Sequence, residues 1–222
     1  MVLKFIKILK PDYIIEDGDR LNGKSVSFHL KDLYTTPTLK EEFKVGKQVT
    51  EQINEAAPKA KKVLVKGNHD FWVVKYTWQH PELVGIIDYN KELGLDDWEV
   101  IEYGGSFEFR DFIFTHGLKA RSASGYTANA MVSCFGRSGM SGHTHRLGSS
   151  YRTFYDSTHG WWENGCLCDF ALSEEWFHEP NPNWQHGFSI IKFFDKYKFH
   201  VDQIPIPEQD KFIFYNNRYY TL

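Results

Sequence analysis

Lys62-Val63-Leu64-Val65-Lys66-Gly67-Asn68-His69-Asp70 is the stretch that decides how this chain reads. A short aliphatic and β-branched run is the pattern of a buried strand. Its arrest at glycine, followed by an amide, an imidazole and a carboxylate, marks a polar loop at that strand's end. Upstream, Leu39, Phe43, Val49 and Ile53 supply the apolar face of a helix that a Thr38/Glu41 capping box opens and that ends near Ala57-Pro58. Before that helix, Tyr13-Ile14-Ile15 reads as another buried strand, running into Glu16-Asp17-Gly18-Asp19. Val2, Phe5, Ile6 and Leu9 recur at helical spacing ahead of it, and Pro11 stops the pattern. Downstream, Phe71 to Trp78 is expected to be helical, with a further short helical stretch from Pro81 to Ile87. The unit strand-loop-helix thus occurs twice.

Further along, residues 98–103, 107–109 and 112–115 are strand-like, and the last run ends on His116-Gly117. Tyr126 to Phe135 is expected to be a helix, followed by a short strand into Gly142-His143-Thr144-His145. Beyond Gly148 the texture turns to aromatic, strand-like pieces at 151–155, 187–194, 198–201 and 212–215, with an ordered loop at 173–185. Alternation early and strands late imply the α/β class, with two sheets flanked by helices and the polar loops at the carboxyl ends of strands.

At 222 residues and 41% hydrophobic, residues 1–222 are expected to form a single domain. A net charge of -3 argues against a generally basic nucleic-acid-binding surface and leaves room for a local basic groove around an acidic or metal-filled site. Cys134, Cys166 and Cys168 are too few for a disulfide framework, which fits a reducing, cytoplasmic setting; Cys166 and Cys168 read as same-face strand residues. The apolar residues of the first ten positions alternate with lysines, too short and too charged for a signal peptide or membrane span.

Four polar segments carry the chemistry: Gly18-Asp19, residues 67–70, Thr115-His116-Gly117 and residues 142–145. Carboxylate, amide and imidazole groups at strand ends are a ligand set for hard and borderline divalent cations. Asp19 has two oxygens with which to bridge a pair of cations, Asn68 offers a carbonyl oxygen, and His116, His143 and His145 offer ring nitrogens. His69, beside a ligand, is placed to act as a general acid, with Asp70 or Asp17 orienting it. Lys119, Arg121 and Arg146 are candidates to meet a phosphate, and Trp161, Trp162, Trp176 and Trp184 are candidates to stack on bases, although packing is the expectation favoured for the tryptophans.

With these segments in this order, residues 11–146 resemble the calcineurin-like metallophosphoesterases, a superfamily marked by Asp-x-His, Gly-Asp-x-x-Asp, Gly-Asn-His-Asp/Glu, a lone His and Gly-His-x-His. The resemblance implies an α/β/β/α sandwich of two mixed sheets flanked by helices. It implies one or two divalent metal ions (Mn²⁺, Fe or Zn²⁺), with Asp19 bridging, Asn68, His116 and His143 completing one cation, and His145 serving the other. It also implies His69 as proton donor and hydrolysis of a phosphoester by metal-bound hydroxide. Segments 162–168 and 182–188 resemble a phage-like branch of uncharacterised phosphoesterases, which tilts the expected substrate toward phosphodiesters, nucleic acid or nucleotides, and away from phosphoprotein. Two departures stand out. Asn22 replaces the second acid of Gly-Asp-x-x-Asp, and no Asp-x-His occurs in the 222 residues. The strand bearing that pair is expected ahead of Val2, so the fold is expected to lack its first strand here. The alternative expectation is a degenerate fold that binds metal or a partner without efficient catalysis.

Overall fold

The computed structural model describes residues 1–29, 31, 34, 36–170, 182–208 and 211–221. The chain is mixed α/β and divides into two compact units, residues 2–105 and residues 106–222, with Met1 belonging to the second.

The first unit opens with helix α1 (Val2–Leu9), whose Phe5 is buried, and Lys10 leaves it with a positive φ of 51° just before Pro11. Strand β1 (Tyr13–Glu16) follows, then helix α2 (Leu39–Ala56), with the Thr38/Glu41 capping box formed as its residues dictate. Strand β2 (Lys61–Val65) lies parallel to β1 and also parallel to β3 (Glu99–Ile101), giving the order β1-β2-β3. Val63, Leu64 and Val65 are fully buried, which is why the run carries no alternation. Helices α3 (Asn68–Gln79) and α4 (Tyr89–Glu92) complete the unit, with the core formed by Leu21, Phe43, Ile53, Leu64, Val73, Leu93 and their neighbours. Arg20 ties the end of β1 to α2: its guanidinium bonds Glu16, the Gly46 carbonyl at 3.1 Å and the Thr50 hydroxyl at 2.8 Å.

The second unit is built on a five-stranded mixed sheet of order β4-β5-β6-β8-β7. Its strands are β4 (Phe107–Phe109), β5 (Phe112–Thr115), β6 (Gly139–Ser141), β7 (Gly148–Thr153) and β8 (Thr158–Glu163). Strands β5, β6 and β8 run parallel, and β4 and β7 pair antiparallel at the edges. Helix α5 (Tyr126–Phe135) buries Ala128, Met131 and Val132 with Ile113 and Trp161. Two hairpin sheets follow, β9 (Gly187–Phe193) with β10 (Phe199–Pro205), and β11 (Ile213–Tyr215) with β12 (Arg218–Tyr220).

Several expectations need correction. The sheet of the first unit is wholly parallel rather than mixed, and two small hairpin sheets accompany the mixed one. Strands β8 and β12 had no sequence signal of their own: Trp161 and Trp162 mask β8's alternation because the strand is buried on both faces near its end. Cys166 and Cys168 do not sit in a strand; Cys166 makes only an isolated bridge to His186. Trp161 and Trp162 are core residues, as favoured for them, while Trp176 and most of the 173–185 loop lie outside the described residues. No helix among the described residues is long and apolar enough to cross a membrane.

Candidate metal centre

In the first unit, the two expected ligand loops leave the carboxyl ends of adjacent parallel strands, β1 and β2, where open parallel sheets place their ligands. Asp19 follows Gly18 in left-handed backbone, φ 55°. An aspartate tolerates that region better than most residues, yet it costs free energy that the surroundings must offset. The offset comes from Asp70, which is fully buried. Its Oδ2 accepts the amides of Asp19 and Gly67, both at 2.8 Å, and its Oδ1 accepts the Leu21 amide at 3.3 Å and the Tyr89 hydroxyl at 2.7 Å. Burial, then the neighbouring Asp19 carboxylate, push the Asp70 carboxyl above its ordinary range, against the hydrogen bonds from Tyr89, Gly67 and Leu21 that pull it down. Burial and the nearby Asp70 charge likewise raise the Tyr89 phenol, which therefore keeps its proton for this bond.

Gly67 is required by close approach. A Cβ there would overlap Asp19 Oδ1 and lie 2.5 Å from the Asp19 backbone nitrogen. Asn68, His69 and Asp70 form the first turn of α3 instead of the loop expected for them, because Asp70 caps the Gly67 amide and starts the helix. In that turn the His69 amide donates to Asp19 Oδ1 at 3.0 Å. Asp70, spent on Asp19, Leu21, Gly67 and Tyr89, does not orient His69. The His69 Nδ1 bonds the Asn22 carbonyl at 2.7 Å, and its ring stacks on Trp72 with centroids 4.1 Å apart. A carbonyl only accepts, so Nδ1 carries the proton in that bond.

In the second unit the pattern repeats on β5 and β6, again adjacent and parallel. His116 directly follows β5 and is only 2% exposed; His143 follows β6 with φ 65°, and His145 has φ 56°. Three of the five expected ligands, Asp19, His143 and His145, thus occupy left-handed backbone that non-glycine residues seldom adopt. His116 Nε2 and His143 Nδ1 stand 3.2 Å apart with rings steeply inclined. Two imidazole nitrogens on one tetrahedral cation, each about 2.0–2.1 Å from it, are separated by about 3.4 Å. The hydrogen-bonded pair is therefore spaced as two ligands of one divalent metal would be.

What holds the 142–145 turn is Glu163, fully buried at the end of β8. Its Oε2 accepts the Thr144 hydroxyl at 2.8 Å, while Oε1 accepts the amides of Gly125 and Ala128 at 2.8 and 3.0 Å. One carboxylate therefore pins the ligand turn and caps α5, whose N-cap Gly125 has no side chain with which to do so. Sequence reasoning missed this residue; a lone glutamate inside a tryptophan-rich run gives no local sign of what it faces.

The cationic candidates fare differently. Arg146 spends its guanidinium on backbone, bonding the Arg121 carbonyl and the Asn183 carbonyl, the latter at 2.9 Å. It locks loops together and does not reach for an anion. His145 lies beside Cys166 and Cys168, one donor atom of each falling within 4.8 Å of the others. The hydrogen bond with Cys168, then burial, raise the Cys166 thiol above its ordinary range. No protein-family model matches this chain, and no curated protein matches it either.

Proposed function

We propose that this chain is a metal-dependent phosphoesterase of the calcineurin-like kind, an α/β/β/α sandwich that hydrolyses phosphoester bonds, with phosphodiesters favoured. Asp19, Asn68, His116, His143 and His145 are assigned to the binding of one or two divalent cations. The observation that carries this reading is the 3.2 Å convergence of His116 Nε2 and His143 Nδ1 at the carboxyl ends of adjacent parallel strands. When bound, the metal supplies Lewis acidity toward a phosphoryl oxygen and a nucleophile at neutral pH.

The residues divide the remaining work. Asp70 and Glu163 hold the ligand turns in their costly backbone conformation, so no reorganisation is needed when substrate arrives. His69, with Nδ1 fixed on the Asn22 carbonyl and its face on Trp72, presents Nε2 as the proton donor to the leaving alkoxide.

Hydrolysis of monoester and diester model substrates with added Mn²⁺ or Zn²⁺ tests the reading. Diester turnover that falls about 10²–10⁴-fold in His69→Ala, with metal retained, and that disappears in Asp19→Ala is the expected result. Turnover unchanged by either substitution overturns it. A second reading, a degenerate fold that binds metal without turnover, draws on one observation, the lack of Asp-x-His among the 222 residues. It predicts bound metal and no hydrolysis of either substrate class.

A further inference from the structure

We infer that His145, Cys166 and Cys168 form a zinc site built on thiolates. The ligating nitrogen and the two sulfurs lie within 4.8 Å of one another, and all three residues are half-buried. Tetrahedral zinc, with Zn–S about 2.3 Å and Zn–N about 2.0–2.1 Å, separates its ligand atoms by about 3.5–3.8 Å. The trio needs only side-chain adjustment to close on a cation. Two thiolates and one imidazole are a borderline-soft donor set, which selects Zn²⁺ over Mn²⁺ or Mg²⁺. Each cysteine binds as thiolate, so one Zn²⁺ displaces two thiol protons to solvent and the two sulfur charges balance the cation.

The backbone holds the three donors together independently of any cation. The Gln185 amide donates to the His145 carbonyl at 2.8 Å, and the Gln185 carbonyl accepts the Cys166 amide at 3.1 Å. The Gly187 amide donates to the Cys166 carbonyl at 3.1 Å, and the His186 ring bonds the Cys168 carbonyl at 2.6 Å. A single short segment, residues 185–187, therefore clamps all three donor residues. Gly165 permits this approach, since a Cβ there would lie 2.7 Å from the Gln185 carbonyl oxygen. Trp184 meets the His145 ring edge-on, with centroids 4.2 Å apart, and fixes its plane.

Every residue of this site lies within residues 106–222, so the inference goes beyond the proposed hydrolysis and needs neither Asp19 nor turnover. It also gives His145 partners where the resemblance leaves that ligand without an Asp-x-His. Three protein ligands leave a fourth position for water or a ligand oxygen, the arrangement of zinc that does chemistry.

The test loads the reduced full chain with Co²⁺ as a spectroscopic stand-in for zinc. The expected result is a near-ultraviolet thiolate-to-cobalt charge-transfer band with strong visible bands of a tetrahedral ion. The doubly substituted Cys166→Ser/Cys168→Ser chain loses that band and one equivalent of bound zinc, whereas Cys134→Ser keeps both. Asp19→Ala also keeps the band, so loss of hydrolysis and loss of this site are read separately. In case the double variant fails to fold, zinc added to the unaltered chain is expected to protect Cys166 and Cys168, but not exposed Cys134, from alkylation read by peptide mass spectrometry. A cobalt spectrum without the thiolate band, or alkylation of all three cysteines indifferent to zinc, overturns the inference.

Discussion

The two units solve one mechanical problem in different ways. Each carries an expected metal ligand in left-handed backbone at the end of a parallel strand, Asp19 in one and His143 in the other, and each braces that turn with a fully buried carboxylate. Asp70 is local to its motif and receives four donors, three of them backbone amides that point one way only. Glu163 comes from a strand well downstream and receives two amides on one oxygen and a rotatable hydroxyl on the other. The lesson is that the first brace is rigid in its chemistry and the second is adaptable.

The sharpest way to break this contrast is amide substitution at both braces. Asp70→Asn places an NH₂ group against the Leu21 amide or the Asp19 and Gly67 amides, leaving buried donors facing a donor. A loss of about 3 kcal/mol in denaturant unfolding is expected, at the level of an unsatisfied buried pair. Asp70→Ala should be at least as damaging. Glu163→Gln keeps its oxygen on Gly125 and Ala128 and lets its NH₂ donate to a reoriented Thr144 hydroxyl, so it should cost about 1 kcal/mol or less, against about 3 for Glu163→Ala. Equal damage from the two amides would erase the distinction drawn between the braces.

A smaller effect sharpens the comparison at the ligand itself. Gly67→Ala pushes a methyl group into the Asp19 carboxylate, and a loss of about 1–3 kcal/mol is expected together with weakened metal binding in calorimetry. Gly117, beside His116, has φ 93° and a prospective Cβ 3.2 Å from the Ser141 Cβ, so Gly117→Ala should cost about 1 kcal/mol through backbone strain. Metal affinity falling more in Gly117→Ala than in Gly67→Ala would contradict the placement of Asp19 under Gly67. Smallest of all, Arg146→Ala removes two bonds to loop carbonyls near the surface and should shift stability by about 1 kcal/mol with no specific loss of phosphate affinity.

What was legible in the sequence follows the same division. Helices α1, α2 and α5 and strands β1, β2 and β5 could be read because each is set by local pattern: Val2 to Leu9 at helical spacing, the Thr38/Glu41 box, an unbroken apolar run. The polar segments carrying Asp19, Asn68, His116, His143 and His145 stood out because glycine followed each strand. The role of Asp70 was misread as support for His69, since adjacency in sequence suggested a pairing that the first turn of α3 prevents. Glu163 gives no local sign of its role, and Cys166 and Cys168 read only as same-face strand residues. Their partners, Thr144 and His145, lie about twenty residues away, and the register of β8 against β6 decides the meeting.

The measurement that tests the central proposal most directly is a double-mutant cycle in metal affinity between His116→Ala and His143→Ala, read by calorimetric titration with Mn²⁺ on the full chain. If these two imidazoles serve one cation, each single substitution weakens binding at least about tenfold and the double variant is no weaker than the worse single, because the second loss falls on a ligand shell already broken. Additive losses, or an affinity unmoved by either substitution, would contradict the proposed metal centre.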